Sequence, residues 1–209
     1  MTAIRIVDHD IFGECILKIA QRDLILDVGG RYRFHKRLRG FKQAFADVRY
    51  YCLDIRRGSD LDVVGDLLAL PFQSGVINGV ICTAVLEHVR EPRSAVRQIH
   101  RVLKPGGEAF VFAPFLHPYH GSPDEPDYWR FTLDGLLHLF RDFSEIQLQP
   151  TSTLAGTTLR FIAWLSPVCR VPMQRLASSL AKPLDRLAQW LGRSLGPMQA
   201  TGYNMWLRK

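Results

Sequence analysis

The sequence is poor in cysteine and has no cysteine pattern. Cys15, Cys52, Cys82 and Cys169 are far apart and form no C-x-x-C pair, so neither a disulfide framework nor a paired-cysteine motif is indicated. Two of the four lie in apolar runs, where a thiol behaves as a small hydrophobe. No uninterrupted apolar run approaches the ~20 residues of a membrane span. The opening MTAIRIVDHDIFGE carries acids and lacks the basic-then-apolar build of a secretory leader. Internal repeats and low-complexity linkers are also missing. These absences point to a reduced, cytoplasmic protein, in contact with a membrane at most peripherally.

What is present is ample core material. With 209 residues, 47% of them apolar, the chain can bury one large domain. Its net charge of +7 suits an acidic partner, although many enzymes of this charge bind none. Short β-rich runs alternate with helical patterns through residue 150, the signature of βαβ units and a mostly parallel sheet. The strands read as 24–28, 48–54, a short one at 61–65, 76–82 and 108–114. A helix over 91–103 carries the apolar stripe Ala95, Val96, Ile99, Val102 and Leu103, and KPGG stops it. A second helix is expected at 133–141, with Thr132 as N-cap. Residues 144–149 and 202–209 read as two further strands. Between them, 154–195 changes character and reads as a helical insertion.

The first strand–loop–helix unit carries the first chemical signal. In an open parallel sheet, ligands sit at the C-terminal strand ends where the order reverses. Asp27-x-Gly29-Gly30 lies at that edge, and a residue without Cβ lets the main chain approach a ligand closely. Arg31, Tyr32 and Arg33 then occupy the positions where G-x-G-x-x-G would continue, so a pyrophosphate cradle is not indicated. A cofactor without phosphates demands less: close approach at a glycine and an acid for a cationic amino group. Asp54 closes the second strand, where a carboxylate can accept both hydroxyls of a ribose. Asp66 follows the third. Three acids closing three successive strands form a more specific set than any one of them.

The blocks LILDVGG, the acid of YYCLD, GDLLALPFQSGVINGVICTAVLEHV and RQIHRVLKPGGEAFVFAPF together resemble the class I S-adenosylmethionine-dependent methyltransferases, over about residues 24–115. The resemblance implies an α/β, Rossmann-like, seven-stranded, mostly parallel sheet with helices on both faces. Its last strand would be antiparallel, with the helical insertion at about 154–195 between the last two strands of a single domain spanning 1–209. It implies S-adenosyl-L-methionine as cofactor. Asp27, Gly29 and Gly30 would line the methionine portion, Asp54 would take the ribose hydroxyls, Asp66 and Leu67 would meet the adenine edge, and Thr83 would follow the fourth strand. The departure is Arg31 and Arg33, which replace the second and third glycines of the family's usual loop.

Beyond the cofactor, a hydroxyl nucleophile must lose its proton, and histidine is the usual base. The segment PFLHPYHGSPDEPDYWRFT (114–132) is crowded with polar and aromatic groups and resembles a segment of some of these methyltransferases. It reads as the acceptor wall, with His120 as first candidate for the base and His117 as second. Glu87, His88, Tyr128, Trp129 and Arg130 are expected at the acceptor, Arg130 toward an acidic group. A lid packed by its own aromatics would explain Trp129 and Phe131 as well. Some relatives hold magnesium through E-x-x-E-H at the turn of Glu87 and His88. Here the first acid is absent, and one carboxylate with one imidazole are too few for a dedicated site, so no metal is expected.

The expected activity is methyl transfer, at oxygen, to a small-molecule, glycan or lipid-linked acceptor. A degenerate binding module that keeps the fold without catalysis is the competing reading, supported by Arg31 and Arg33. A nicotinamide-linked oxidoreductase lacks its phosphate loop. Basic runs at residues 31–42 and 93–104 come with no RNA-binding motif, and nucleic acid is not expected as partner. The insertion's leucine stripe fits a membrane surface, a lid or a homodimer contact equally.

Overall fold

β-Strands form where apolar residues are continuous, and both faces of such strands must then be covered. The structure, a computed structural model, describes residues 2–58, 60–152 and 200–209, with short stretches at 157–159, 161–162, 179–180 and 183. The expected insertion at about 154–195 falls almost wholly outside the described residues. Among the described residues eight strands form one sheet: β1 (Ala3–Ile6), β2 (Leu24–Val28), β3 (Arg49–Asp54), β4 (Val63–Val64), β5 (Ile77–Thr83), β6 (Leu103–Pro114), β7 (Glu145–Pro150) and β8 (Gly202–Arg208). Their order is β1-β7-β8-β6-β5-β2-β3-β4. All neighbours run parallel except β8, which is antiparallel to both β6 and β7. The sequence reading accounts for seven of the strands.

The eighth, β1, pairs in parallel with β7 at the sheet's edge. All four of its residues are exposed, so it has no buried face to leave an alternating pattern. Helix α1 (Phe12–Ile19) was also not read from sequence; it buries Phe12, Cys15, Ile16 and Ile19 against the sheet.

Parity along the central strands divides the core in two. Leu26, Val28, Val80 and Cys82 face a cluster built with α2 (Pro92–Val102) and α3 (Leu133–Leu139). Ile25 and Ile81 face the other side, with α1 and a 3₁₀ segment at Lys36–Phe45. Each such side chain stabilises the fold by roughly 1.5–3 kcal/mol on burial. The α2 stripe is as predicted over Ala95, Val96, Ile99 and Val102, all buried, with Pro92 in the first turn; Leu103, expected to close it, instead begins β6. Thr132 caps α3 by accepting the Gly135 amide at 3.1 Å.

The arrangement that matters for function is the reversal of strand order between β2 and β5. Their C-terminal ends lie side by side there, with loops leaving to opposite sides, and a crevice opens between the loops.

Candidate active site

The floor of the crevice is a contact between two loops. Gly29, directly after β2, has φ of +71°, and a Cβ on it would stand 2.4 Å from Val85 Cγ2. Only glycine fits there. A Cβ on Gly30 would meet Cys52 Sγ at 2.5 Å, so the second glycine is constrained by space, without the positive φ of the first. Above this floor lies a cavity of about 340 Å³ lined by Val28, Gly29, Leu53, Asp54, Asp66 and Leu67 on one side and Ala84, Val85, His88 and Tyr128 on the other.

Asp54 and Asp66 both reach the cavity, and the chain fixes each. The two oxygens of Asp54 accept the backbone amides of Arg31 (3.0 Å) and Arg56 (2.9 Å). Each keeps a lone pair for a further donor. Asp66 accepts the Leu68 amide at 2.8 Å, capping the short turn that carries Leu67.

Asp27, expected at the methionine portion of the cofactor, is not among the residues that line the cavity. It is 1% exposed and accepts a hydrogen bond from the Tyr50 hydroxyl. Alternation along β2 puts Asp27 on the face of Ile25, away from that of Leu26 and Val28, and Tyr50 belongs to the cluster on that face. Asp27 therefore braces the loop from behind and does not line the cavity. Burial and the neighbouring carboxylate push the Tyr50 phenol far up, so it remains a donor at any working pH. Gly30 and Thr83 are also outside the wall. In place of Thr83, Ala84, at φ +54°, and Val85 line the cavity.

The 114–132 loop closes the other side, pinned to the turn at Leu86–His88. Tyr128 and Trp129 donate their amides to the Glu87 carbonyl at 2.7 and 3.2 Å. The Trp129 indole donates to the Val89 carbonyl at 2.9 Å, and Arg90 donates to the Tyr128 hydroxyl at 3.1 Å. Tyr128 thus stands in the cavity wall, whereas Trp129 is a fastening.

Arg130 corrects a second expectation. A guanidinium has five N–H donors, and all five are in use: on the His117 and Pro118 carbonyls (both 2.8 Å), the Trp129 carbonyl (2.7 Å) and both oxygens of Asp127. No donor is spare for an acidic acceptor. Arg130 instead folds the loop, and its fork holds the Asp127 carboxyl well below the usual carboxylate range.

Three imidazoles gather above Glu87. His88 lines the cavity, with Nδ1 2.7 Å from the Pro126 carbonyl. Because a carbonyl only accepts, that contact places a proton on Nδ1, so that in the neutral ring Nε2 is the acceptor. His120 lies behind His88, ring centroids 5.1 Å apart, with Nδ1 3.2 Å from Asp127 Oδ2 and Nε2 3.9 Å from Glu87 Oε1. Burial lowers the proton affinity of His120, and Asp127 opposes that only in part. His117 packs on its outer side at 4.9 Å, off the cavity wall.

Donor atoms of Glu87, His88 and His120 lie within 4.8 Å of one another, so the fold adds a third ligand to the two visible in sequence. The basic runs are largely committed to the chain's own groups. Arg33 pairs with Asp62 (2.7 Å), Arg37 with Asp10 (3.2 Å), and Arg101 donates to the Leu70 and Phe72 carbonyls.

The sheet order, the reversal point and the loops that meet there are those of the class I S-adenosylmethionine-dependent methyltransferase fold. Residues 33–111 match the family model described as a methyltransferase domain. A demethylmenaquinone methyltransferase of Renibacterium salmoninarum is 42% identical over 67 residues, 32% of this chain and 28% of that protein. A ubiquinone/menaquinone biosynthesis C-methyltransferase of a Ruegeria species is 31% identical over 94 residues, 45% of this chain and 35% of that protein. The chain thus matches about a third or less of these relatives' length. Among solved structures, a methyltransferase from Archaeoglobus fulgidus superposes with a TM-score of 0.60 at 13% identity, covering 94% of this chain and 90% of that one. A 1,6-didemethyltoxoflavin-N1-methyltransferase of Burkholderia thailandensis does so at 0.53 and 14%, covering 95% and 77%.

Proposed function

We propose that the protein is an S-adenosylmethionine-dependent methyltransferase acting at a hydroxyl oxygen of a small or lipid-linked acceptor. The observation that carries this is one cavity walled by Asp54 and Asp66 on one side and an imidazole of fixed tautomer, His88, on the other. The residues fit the cofactor. The Gly29–Val85 contact leaves an open floor, Asp54 offers an oriented lone pair on each oxygen to a ribose diol, and Leu67 and Leu68 supply apolar surface beside Asp66. The volume lies within the range of small-molecule sites. Bound there, S-adenosylmethionine supplies a methyl group on a positively charged sulfur.

The chain's own contribution is alignment and a proton acceptor. Alignment of a nucleophile with an electrophile removes much of the barrier, and the loop carrying Tyr128 is positioned for it by Arg130 and Asp127. His88 accepts the acceptor's hydroxyl proton at Nε2 while Nδ1–H stays on Pro126. His120, the first candidate from sequence, acts behind His88 by shaping the field around it. The relatives named for demethylmenaquinone and for ubiquinone/menaquinone biosynthesis make a quinone precursor the first acceptor class to try.

Calorimetric titration with S-adenosylhomocysteine tests the cofactor half. Micromolar affinity in the wild type, lost in Asp54→Ala, supports the reading; no binding leaves the non-catalytic module as the better description. Transfer of labelled methyl from S-adenosylmethionine to a panel of phenols, sugars and lipid-linked phenols tests the acceptor half.

A further inference from the structure

The loop after β2 places a strained arginine where glycine would be unstrained. Arg31 has φ of +53°, a conformation costing about 1–2 kcal/mol for a residue with a Cβ. Such strain persists where the surroundings over-determine it, and functional loops collect it. Here the Arg31 amide is fixed by Asp54 Oδ2 at 3.0 Å. The backbone keeps the glycine's conformation while adding a guanidinium to the cavity wall.

That guanidinium is half-exposed and meets the carboxylate of Glu125, on the 114–132 loop. Arg56 Nη2 stands 3.7 Å from the same oxygen. Arg31, Arg56 and Glu125 all line the cavity, as do Asp124 and Arg90. Two cations therefore converge on one carboxylate at the edge of a ligand-sized space. A pair formed only for surface solubility needs neither a left-handed backbone nor a cavity beside it.

We infer that Arg31, assisted by Arg56, is a subsite for a ligand carboxylate, the one at the methionine end of the cofactor, and that Glu125 occupies it in the free protein. Binding exchanges one carboxylate for another and releases the 124–126 segment from the β2 loop. The inference rests on the cofactor reading above. It also gives the departure from the family's glycine pattern a use: the backbone amide is kept, and a cationic side chain is added where glycine has none.

The test compares two compounds by calorimetry. S-adenosylhomocysteine carries the carboxylate; 5′-methylthioadenosine keeps the adenosine and sulfur but lacks the amino-acid end. Arg31→Met is expected to weaken S-adenosylhomocysteine about tenfold or more, the scale of a charge-assisted hydrogen bond, and to leave methylthioadenosine unchanged. Glu125→Gln is expected to tighten S-adenosylhomocysteine alone. Unchanged methylthioadenosine binding also reports that each variant is folded. Equal effects of Arg31→Met on both compounds, no effect on either, or weaker S-adenosylhomocysteine binding by Glu125→Gln overturns the subsite while the cofactor reading stands. Failure of the wild type to bind either compound overturns both.

Discussion

The Tyr50 hydroxyl donates to the Asp27 carboxylate beneath the first loop, on the opposite side of β2 from the cavity. Tyr50→Phe removes that donor from a buried anion. It is expected to lower unfolding free energy by about 1–3 kcal/mol, read from urea denaturation. Affinity for S-adenosylhomocysteine should change little, since neither residue lines the cavity; a large loss of affinity at unchanged stability would return Asp27 to the binding surface.

His88 is expected to behave as a base. His88→Asn should lower kcat by about 10²–10⁴ while S-adenosylhomocysteine affinity stays within about threefold. Incubation with a chelator should leave the wild-type rate unchanged. Loss of activity under EDTA, restored by a divalent cation, would instead assign Glu87, His88 and His120 as metal ligands.

His120 should leave a signature in the stability profile. Its folded-state proton affinity is lowered by burial, so the unfolded chain takes up the proton first as pH falls. Stability is therefore held above the ordinary imidazole range and lost as pH drops through it. His120→Asn should flatten the decline in melting temperature between about pH 7 and pH 5. His100, shifted the same way by burial against Phe143, accounts for a slope that remains. An identical profile in the variant would remove His120 from this role.

Arg130 is expected to act through loop geometry. Arg130→Lys keeps the charge but not the planar fork that joins Asp127 to three carbonyls. It should reduce kcat/KM for the acceptor about tenfold or more, with cofactor-analogue affinity unchanged. Equal damage for acidic and neutral acceptors is expected; damage confined to acidic ones would restore a direct contact.

Glu108 is fully buried and receives Arg22 (2.8 Å), Lys18 (3.2 Å) and Arg208 (3.3 Å). Glu108→Ala removes the carboxylate these three cations share, leaving Arg208 paired with Glu145 alone. A loss of about 1–3 kcal/mol, held down because the three cations are each about a third exposed or more, should be measurable by chemical denaturation, with ligand affinity preserved in the folded fraction.

Most of the sheet was legible because its strands are apolar runs with turn residues between them, and α2 because its stripe repeats at helical spacing. β1 was not, because a four-residue strand with no buried side has no pattern to show. Asp54 and Asp66, singled out by their positions at strand ends, both line the cavity. Asp27 shares that position yet faces backward, in parity with Ile25, which alternation along a strand makes readable from the sequence. The occupation of Arg130 was not legible, since its acceptors are mostly backbone carbonyls, which sequence does not distinguish. Glu125 was missed because its partner, Arg31, lies 94 residues away and nothing local marks either as half of a pair.

The place of β8 between β6 and β7 has a further consequence, for the order of assembly. Until residues 202–208 are delivered, β6 and β7 each present an unpaired edge, and β1 with β7 forms a fragment separate from the rest of the sheet. Pairing across about a hundred residues of chain is slow to form. During synthesis those edges stand open to other nascent chains, and chaperone demand should centre on the interval between residues 150 and 202.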